Sequence, residues 1–320
     1  MRGILVLAWA LAACGDPSLA ERIDALRAGG ARYAHQLVPA PARRAELSPD
    51  ADEAPGSSFL EHVREDENAR AILDLGPAAE ADLVRLLDDP ERRTLAAFFL
   101  AEIGGERGAA ALLAKWRALR GDTKTKSVYL LGDGAATALG YRHEGVEPSF
   151  YGELDFALCY AGRPVSAAIA SDTAAAMTEG EDLAAAGEPL FLEETREEGE
   201  DRLELRWSVE PIETACEGLR LLAMVGAPEA PPLYDRALRS PVHAFRWTAV
   251  QNALYIGKPA ERLLPALAGL FDDARLGDEA LEAVAFLVDR GYPGNLDEAG
   301  RAAARERYRE RLRELGHLPR

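Results

Sequence analysis

The chain has 320 residues, with 54 aspartates and glutamates against 37 lysines and arginines, for a formal charge of −17. Such an excess of carboxylates repels phosphate backbones and anionic lipid surfaces, so nucleic acid is excluded as a partner. The length admits one elongated repeat array or two compact domains.

Arg2 is the only charge before Asp16, and residues Ile4 to Ala13 are all apolar, ending in Ala12-Ala13 ahead of Cys14. A charged start, a short apolar run and small residues before a break describe an export signal, too short to stay in a bilayer as a spanning helix. The stretch Leu11-Ala12-Ala13-Cys14 resembles the bacterial lipobox. The resemblance covers the first 14 residues. It implies removal of 1–13 as a signal peptide and attachment of lipid to the thiol and amino group of Cys14. Two or more acyl chains hold a protein stably, because each buried methylene contributes about 0.8 kcal/mol. Gly15 stands where the aspartate that retains such proteins in the inner membrane would be, which implies the periplasmic face of the outer membrane. A plain secretory signal, or a buried N-terminal strand with an incidental cysteine, are the alternatives. No later segment is apolar enough to cross a bilayer, so the membrane is expected to be reached through the anchor alone.

Residues 14–58 then read as a lipidated start, a short helix over Leu19 to Leu26 and a tether. The tether, 39–58, is PAPARRAELSPDADEAPGSS, with four prolines among small and charged residues. From 59 to 144 the chain repeats itself. Leu83, Leu86 and Leu87 make one apolar face that stops at Asp88-Asp89. Asp89 suits a helix cap, Pro90 the first turn and Glu91 the positive end of the dipole. Leu95, Phe98, Phe99 and Ile103 recur at helical spacing, and Gly104-Gly105 ends the helix. Segment 240–273 repeats the pattern, with Ser240 as cap, Pro241 in the first turn, and Phe245, Ala249, Leu254 and Ile256 on the inner face. Helix ends are expected at Gly76, Gly104, Gly140, Gly226, Gly257 and Gly291, a period near 30 broken once.

The run Asp89-Pro90-Glu91-Arg92-Arg93 with Ala96-Ala97 and Ile103-Gly104, and its counterpart from Pro241 to Ile256-Gly257, resemble HEAT repeats of the short phycocyanobilin-lyase type. The resemblance covers about 62–141 and 211–291. It implies an all-α fold, a HEAT-like α-solenoid of stacked helical hairpins, and says little about function, because such repeats serve enzymes, scaffolds and adaptors alike.

Residues 145–210 break the rhythm. Their first part is rich in alanine and reads as one or two helices. Then Leu190 and Leu192 alternate, as do Leu203, Leu205 and Trp207, predicting a small β-hairpin inserted between the repeats. Segment 179–217 holds 14 acidic residues and three arginines. Glu193, Glu194, Glu197, Glu198, Glu200 and Asp201 are therefore candidates for docking a basic partner, against the plainer reading of a solvated loop that keeps the protein soluble. Repeats resume over 211–320. They end in a capping helix, 295–315, whose apolar stripe is read as Leu296, Ala299, Ala303, Tyr308, Leu312 and Leu315.

Chemistry is sparse. His35, His62, His143, His243 and His317 form no pair at ligand spacing, and there is no HExxH or GxSxG. Gly132-Asp133-Gly134 lacks the lysine and the preceding strand of a phosphate cradle, and is expected to mark a bend or a close helix contact. Deoxyhypusine hydroxylase, a HEAT-like enzyme, holds two irons through four His-Glu pairs; only His143-Glu144 has that order here. Cys159 and Cys216 either pair in an oxidising compartment or stay as two buried thiols. His243, Arg246 and Trp247 lie near one helix start and are candidates for a binding groove, or for contacts between repeats. No catalytic residue, cofactor or metal is expected. The reading that results is a monomeric, membrane-anchored, non-catalytic interaction scaffold or adaptor for another envelope protein. The alternatives are an enzyme with its site around 145–210 and a structural subunit of an envelope transport or secretion assembly.

Overall fold

A computed structural model describes residues 17–29, 66–103, 105–122, 126–132, 135–142, 157–158, 163–198, 201–256, 258–291 and 296–319. The lipobox with Cys14, the tether, Cys159 and Glu200 lie outside the described residues. Those described are mostly helical, the helices pack on one another, and they divide into two compact units.

The first unit runs through Trp116, with 157–158 added. Helix α1 (Leu19–Ala28) starts in a capping box: the Glu21 amide donates to Ser18 Oγ at 3.3 Å, and the Ser18 amide to Glu21 Oε2 at 2.7 Å. Helix α2 (Glu67–Leu75) starts at Asp66, whose Oδ1 accepts from the Asn68 amide at 2.8 Å, and it ends at Gly76, where φ is +52°. Helices α3 (Glu80–Leu86) and α4 (Arg93–Ile103) follow, then α5 (Glu106–Asp122). Ile23, Ile72, Leu83, Leu95, Phe99 and Leu112 are fully enclosed, and Phe98 meets Phe99 edge-on with centroids 5.2 Å apart. Helix α4 begins at Arg93, three residues later than the Asp89-Pro90 signal suggests. The reason is local: Asp89 Oδ1 accepts from the Glu91 amide at 3.0 Å and its carbonyl from the Arg93 amide at 2.8 Å, which holds 90–92 as a turn.

That turn is tied to α1. Arg92 donates from Nε and Nη2 to the two oxygens of Asp24 at 2.8 and 2.6 Å, and from Nη1 to Asp89 at 2.5 Å. Arg27 reaches Glu91 at 2.9 Å. Arg92 thus braces α1 against the connection before α4.

The second unit starts at Arg117 and contains an antiparallel sheet of order β2-β1-β4-β3, from β1 (Lys126–Gly132), β2 (Ala135–Arg142), β3 (Phe191–Glu198) and β4 (Asp201–Ser208). Strands β3 and β4 include Leu192, Leu203, Leu205 and Trp207, while Leu190 lies one residue ahead of β3. Strands β1 and β2 correct the expectation of repeat helices up to Gly140, which lies opposite Val128 in β2. Val128, Tyr129, Thr137 and Tyr141 favour extended backbone, and Asp133-Gly134 is the dipeptide of two-residue hairpins. The register ends with Gly132 opposite Ala135, and Asp133 and Gly134 lie outside the described residues.

Helices complete the unit: α6 (Ser166–Ala186), α7 (Glu210–Val225), α8 (Ala230–Arg239), α9 (His243–Asn252), the short α10 (Leu264–Ala268), α11 (Gly277–Asp289) and α12 (Glu298–Glu314). Helices α6 and α7 approach through reciprocal glycines. A Cβ on Gly180 of α6 would stand 2.8 Å from Ile212 Cδ1 and from Phe245 Cζ; one on Gly218 of α7 would stand 2.0 Å from Thr173 Oγ1. Tyr234 of α8 is fully buried and donates to the Leu219 carbonyl of α7 at 3.0 Å. Arg236 ties α8 to α6, donating to Glu181 at 2.6 Å and to Thr178 Oγ1 at 2.9 Å.

Terminal helix α12 is capped by Asp297, which accepts from the Gly300 amide at 2.7 Å. Its buried positions are Ala304, Tyr308 and Leu312, spaced by four, whereas Ala299, Ala303 and Leu315 are exposed. The arginines that follow the same side fix the rotation: Arg305 meets Asp278 and Arg309 meets Asp272, at 2.7 and 2.6 Å.

Candidate functional site

The candidate acidic residues sit on the outer hairpin of the sheet. Glu193, Glu194, Glu197 and Glu198 occupy β3, and Asp201 begins β4. The register pairs Glu193 with Arg206, Glu194 with Leu205, Glu197 with Arg202 and Glu198 with Asp201.

His243, Arg246 and Trp247 all fall on the first turns of α9, where the structure gives them different tasks. Arg246 is engaged internally. Its Nη1 donates to the carbonyls of Ser240 and Pro241 at 2.7 and 3.2 Å, and its Nη2 stands 3.6 Å from Asp273 Oδ2. Asp273 in turn accepts at Oδ1 from the amides of Arg275 and Leu276, at 2.9 and 3.2 Å, and so shapes the entry to α11. Those amides and the Arg246 charge hold the Asp273 carboxyl below the usual range. His243 is half-buried beside this joint. Burial pushes its imidazole below the ordinary value, helped by the charges of Arg246 and Arg275 and opposed by Asp273 and Glu279.

Trp247 faces water, with 43% of its surface exposed. The exposure continues at every fourth residue, through Gln251 to Tyr255, which is 48% exposed. Tyr255 lies in the tight turn Ala253–Ile256 that extends α9. The opposite side of this helix is core: Phe245, Ala249 and Ala253 are fully enclosed. Spacing Leu254 and Ile256 as inner positions hides Tyr255 from a sequence reading; the i, i+4, i+8 series starting at Trp247 would have found it.

Cys216 of α7 is a free thiol, whose Sγ lies 3.7 Å from the Ala244 carbonyl on α9. Burial pushes its thiol up to about 12, with a Thr248 hydrogen bond opposing the shift. A thiol held protonated by burial is a poor nucleophile. Among the described residues no three histidine, cysteine, aspartate or glutamate side chains gather to hold a metal ion, and no helix is long and apolar enough to cross a membrane. The second unit exposes two aromatic side chains here, Trp247 on α9 and Tyr255 in the turn that follows it. The chain matches no protein-family model, and none of the curated proteins matches it.

Proposed function

We propose that this protein is an exported, lipid-anchored interaction scaffold of the bacterial envelope. Cys14 carries the lipid, residues 39–58 hold the body away from the bilayer, and the helical hairpins stack as a HEAT-like solenoid with the sheet hairpins inserted. The anchor places it on the periplasmic face of the outer membrane. The observation that carries the scaffold reading is the exposed run Trp247, Gln251 and Tyr255 on α9. Large aromatic side chains left in water on a rigid helix supply contact area at low entropic cost, and they are enriched where proteins bind proteins.

The test is site-specific photo-crosslinking in growing cells, with the probe residue at 247, at 255 and, as a control, at the exposed Glu310 of α12. Adducts of one common size from 247 and 255, absent from 310, are expected. No adduct from either aromatic position counts against a scaffold working through this helix.

A further inference from the structure

Helix α9 begins without a side-chain cap. Val242 precedes it, and a valine side chain cannot accept from the first-turn amides. The turn is held from outside instead. Arg246 donates from Nη1 to the carbonyls of Ser240 and Pro241, on the chain entering the helix, at 2.7 and 3.2 Å. Its Nη2 stands 3.6 Å from Asp273, which orders the entry to α11 through the amides of Arg275 and Leu276. One guanidinium thus fastens the start of α9 to the connection ahead of α11.

His243 is the first residue of α9, three before Arg246 and therefore on the same side of the helix, and it is half-buried. A positive charge is disfavoured at that place for three physical reasons. The start of a helix carries the positive end of its dipole. Partial burial strips water from an imidazolium. Arg246 and, from the connection before α11, Arg275 carry the same sign. Asp273 on that connection and Glu279 on α11 oppose them, but Asp273 is already engaged by Arg246 and by two amides. Two other helices pack on α9. From α8, Asp235 and Arg239 bind each other at 2.9 Å. From α7, the protonated Cys216 thiol lies near the Ala244 carbonyl, and the charges of Glu213 and Glu217 act on that thiol.

We propose that the first turn of α9 is a pH-sensitive latch: a proton taken from solvent by the His243 imidazole loosens that turn from the α11 entry and displaces Trp247. The inference rests on the scaffold reading and names how its contact is regulated. Trp247 directly follows Arg246, so a partner held by its ring in neutral solution is released in acid. Neutral imidazole is the form that fits. The latch is therefore closed above the ordinary value near 6.5 and opens as pH falls through the lower value of the folded protein. Over that interval the opening equilibrium gains at most about ten-fold per pH unit.

Hydrogen exchange of the full chain in detergent micelles, read by mass spectrometry at pH 7.5 and 5.5 and corrected for intrinsic rates, tests the latch. The amides of α9 are expected to lose protection about two-fold or more at pH 5.5, while those of α8 do not. His243→Gln stays neutral and should abolish the loss. Arg275→Gln, at an exposed position, removes one of the two repelling charges and should shrink it. Wild-type protection of α8 at pH 7.5 shows that each variant folds.

No loss in α9, an equal loss in α8, or a loss retained in His243→Gln overturns the latch. Should His243→Gln fail the folding check, an undiminished loss in Arg275→Gln overturns it instead. Photo-crosslinking from 247 in membranes held at the two pH values reads the release. The adduct is expected to fall at pH 5.5 in the wild type and to persist in His243→Gln; equal adduct at both values overturns the regulation. The scaffold reading fails separately, by the absence of crosslinks from both 247 and 255 at pH 7.5, an outcome that leaves the exchange result to decide the latch.

Discussion

At the scale of single residues, His243 and Cys216 show how burial decides chemistry. The folded protein favours neutral imidazole at His243, because burial and the arginines beside it penalise the charged form. A group depressed in the folded state contributes stability that is present above its ordinary value, near 6.5, and is lost as pH falls through its depressed one. Urea midpoints for the wild type should therefore drop between pH 7.5 and 5, and His243→Gln should flatten that part of the profile; equal slopes would refute the assignment. Cys216 is expected to alkylate with iodoacetamide far more slowly in the native protein than in urea at pH 8, since its thiol stays protonated there. Comparable native and unfolded rates would show that the thiol is open to solvent. Both residues were visible in the sequence as candidates, but their environments were not. Cys216 meets Ala244, 28 residues on, and one of the two arginines beside His243, Arg275, lies 32 residues on.

At the scale of elements, the close contact of α6 and α7 is the most exposed to test. Gly180 sits where a methyl group would press on Ile212 and on the enclosed ring of Phe245. Gly180→Ala gains about 1 kcal/mol of helix propensity, yet overpacking a tight core costs about 1–3 kcal/mol. A net loss of stability in denaturant unfolding is expected, and a stabilised variant would mean that the contact is looser than described. Tyr234→Phe removes the donor to the Leu219 carbonyl and leaves that acceptor buried, for an expected loss of about 1–2 kcal/mol. An unchanged midpoint would show that the hydroxyl contributes nothing.

The elements also show where sequence reasoning reaches its limit. Phe98, Phe99 and Phe245 recur at helical spacing in windows long enough to fix the period, and they are core. Leu203, Leu205 and Trp207 alternate cleanly, and they lie on a strand. Segment 126–142 is too short and too mixed for the period to decide, and Gly140 matched a repeat spacing by coincidence. There the better signal was the Asp133-Gly134 dipeptide, with Val128 and Tyr129 before it and Thr137 and Tyr141 after it. In α12 the alanines could be assigned to either side of the helix. Only the acids on α11 and on the turn before it, Asp278 and Asp272, rotate Ala304 inward and leave Ala299 and Ala303 in water.

At the scale of the whole molecule, the proposed function joins a lipid-anchored N-terminus to a body whose exposed Trp247 and Tyr255 would meet a partner. On the proposed reading, an acidic body on a proline-rich tether would stay off an anionic surface while its anchor held it there, and its on-rate for a basic partner would rise as ionic strength falls. The candidate binding residues were only partly legible in the sequence. Trp247 stood out as an aromatic beside charged neighbours, but that Arg246 turns inward and that Tyr255 turns outward depends on how α9 is rotated by Phe245 and Ala249 in the core.

The central claim is that the protein works from a lipid anchor at Cys14. Its most direct test is mass spectrometry of the N-terminal tryptic peptide, from protein extracted from membranes with detergent. The account predicts a peptide running from Cys14 to Arg22 that carries a diacylglyceryl group on the thiol, with or without an acyl group on the amine. An unmodified Cys14 inside a longer peptide, or a mature chain that starts elsewhere, would contradict it.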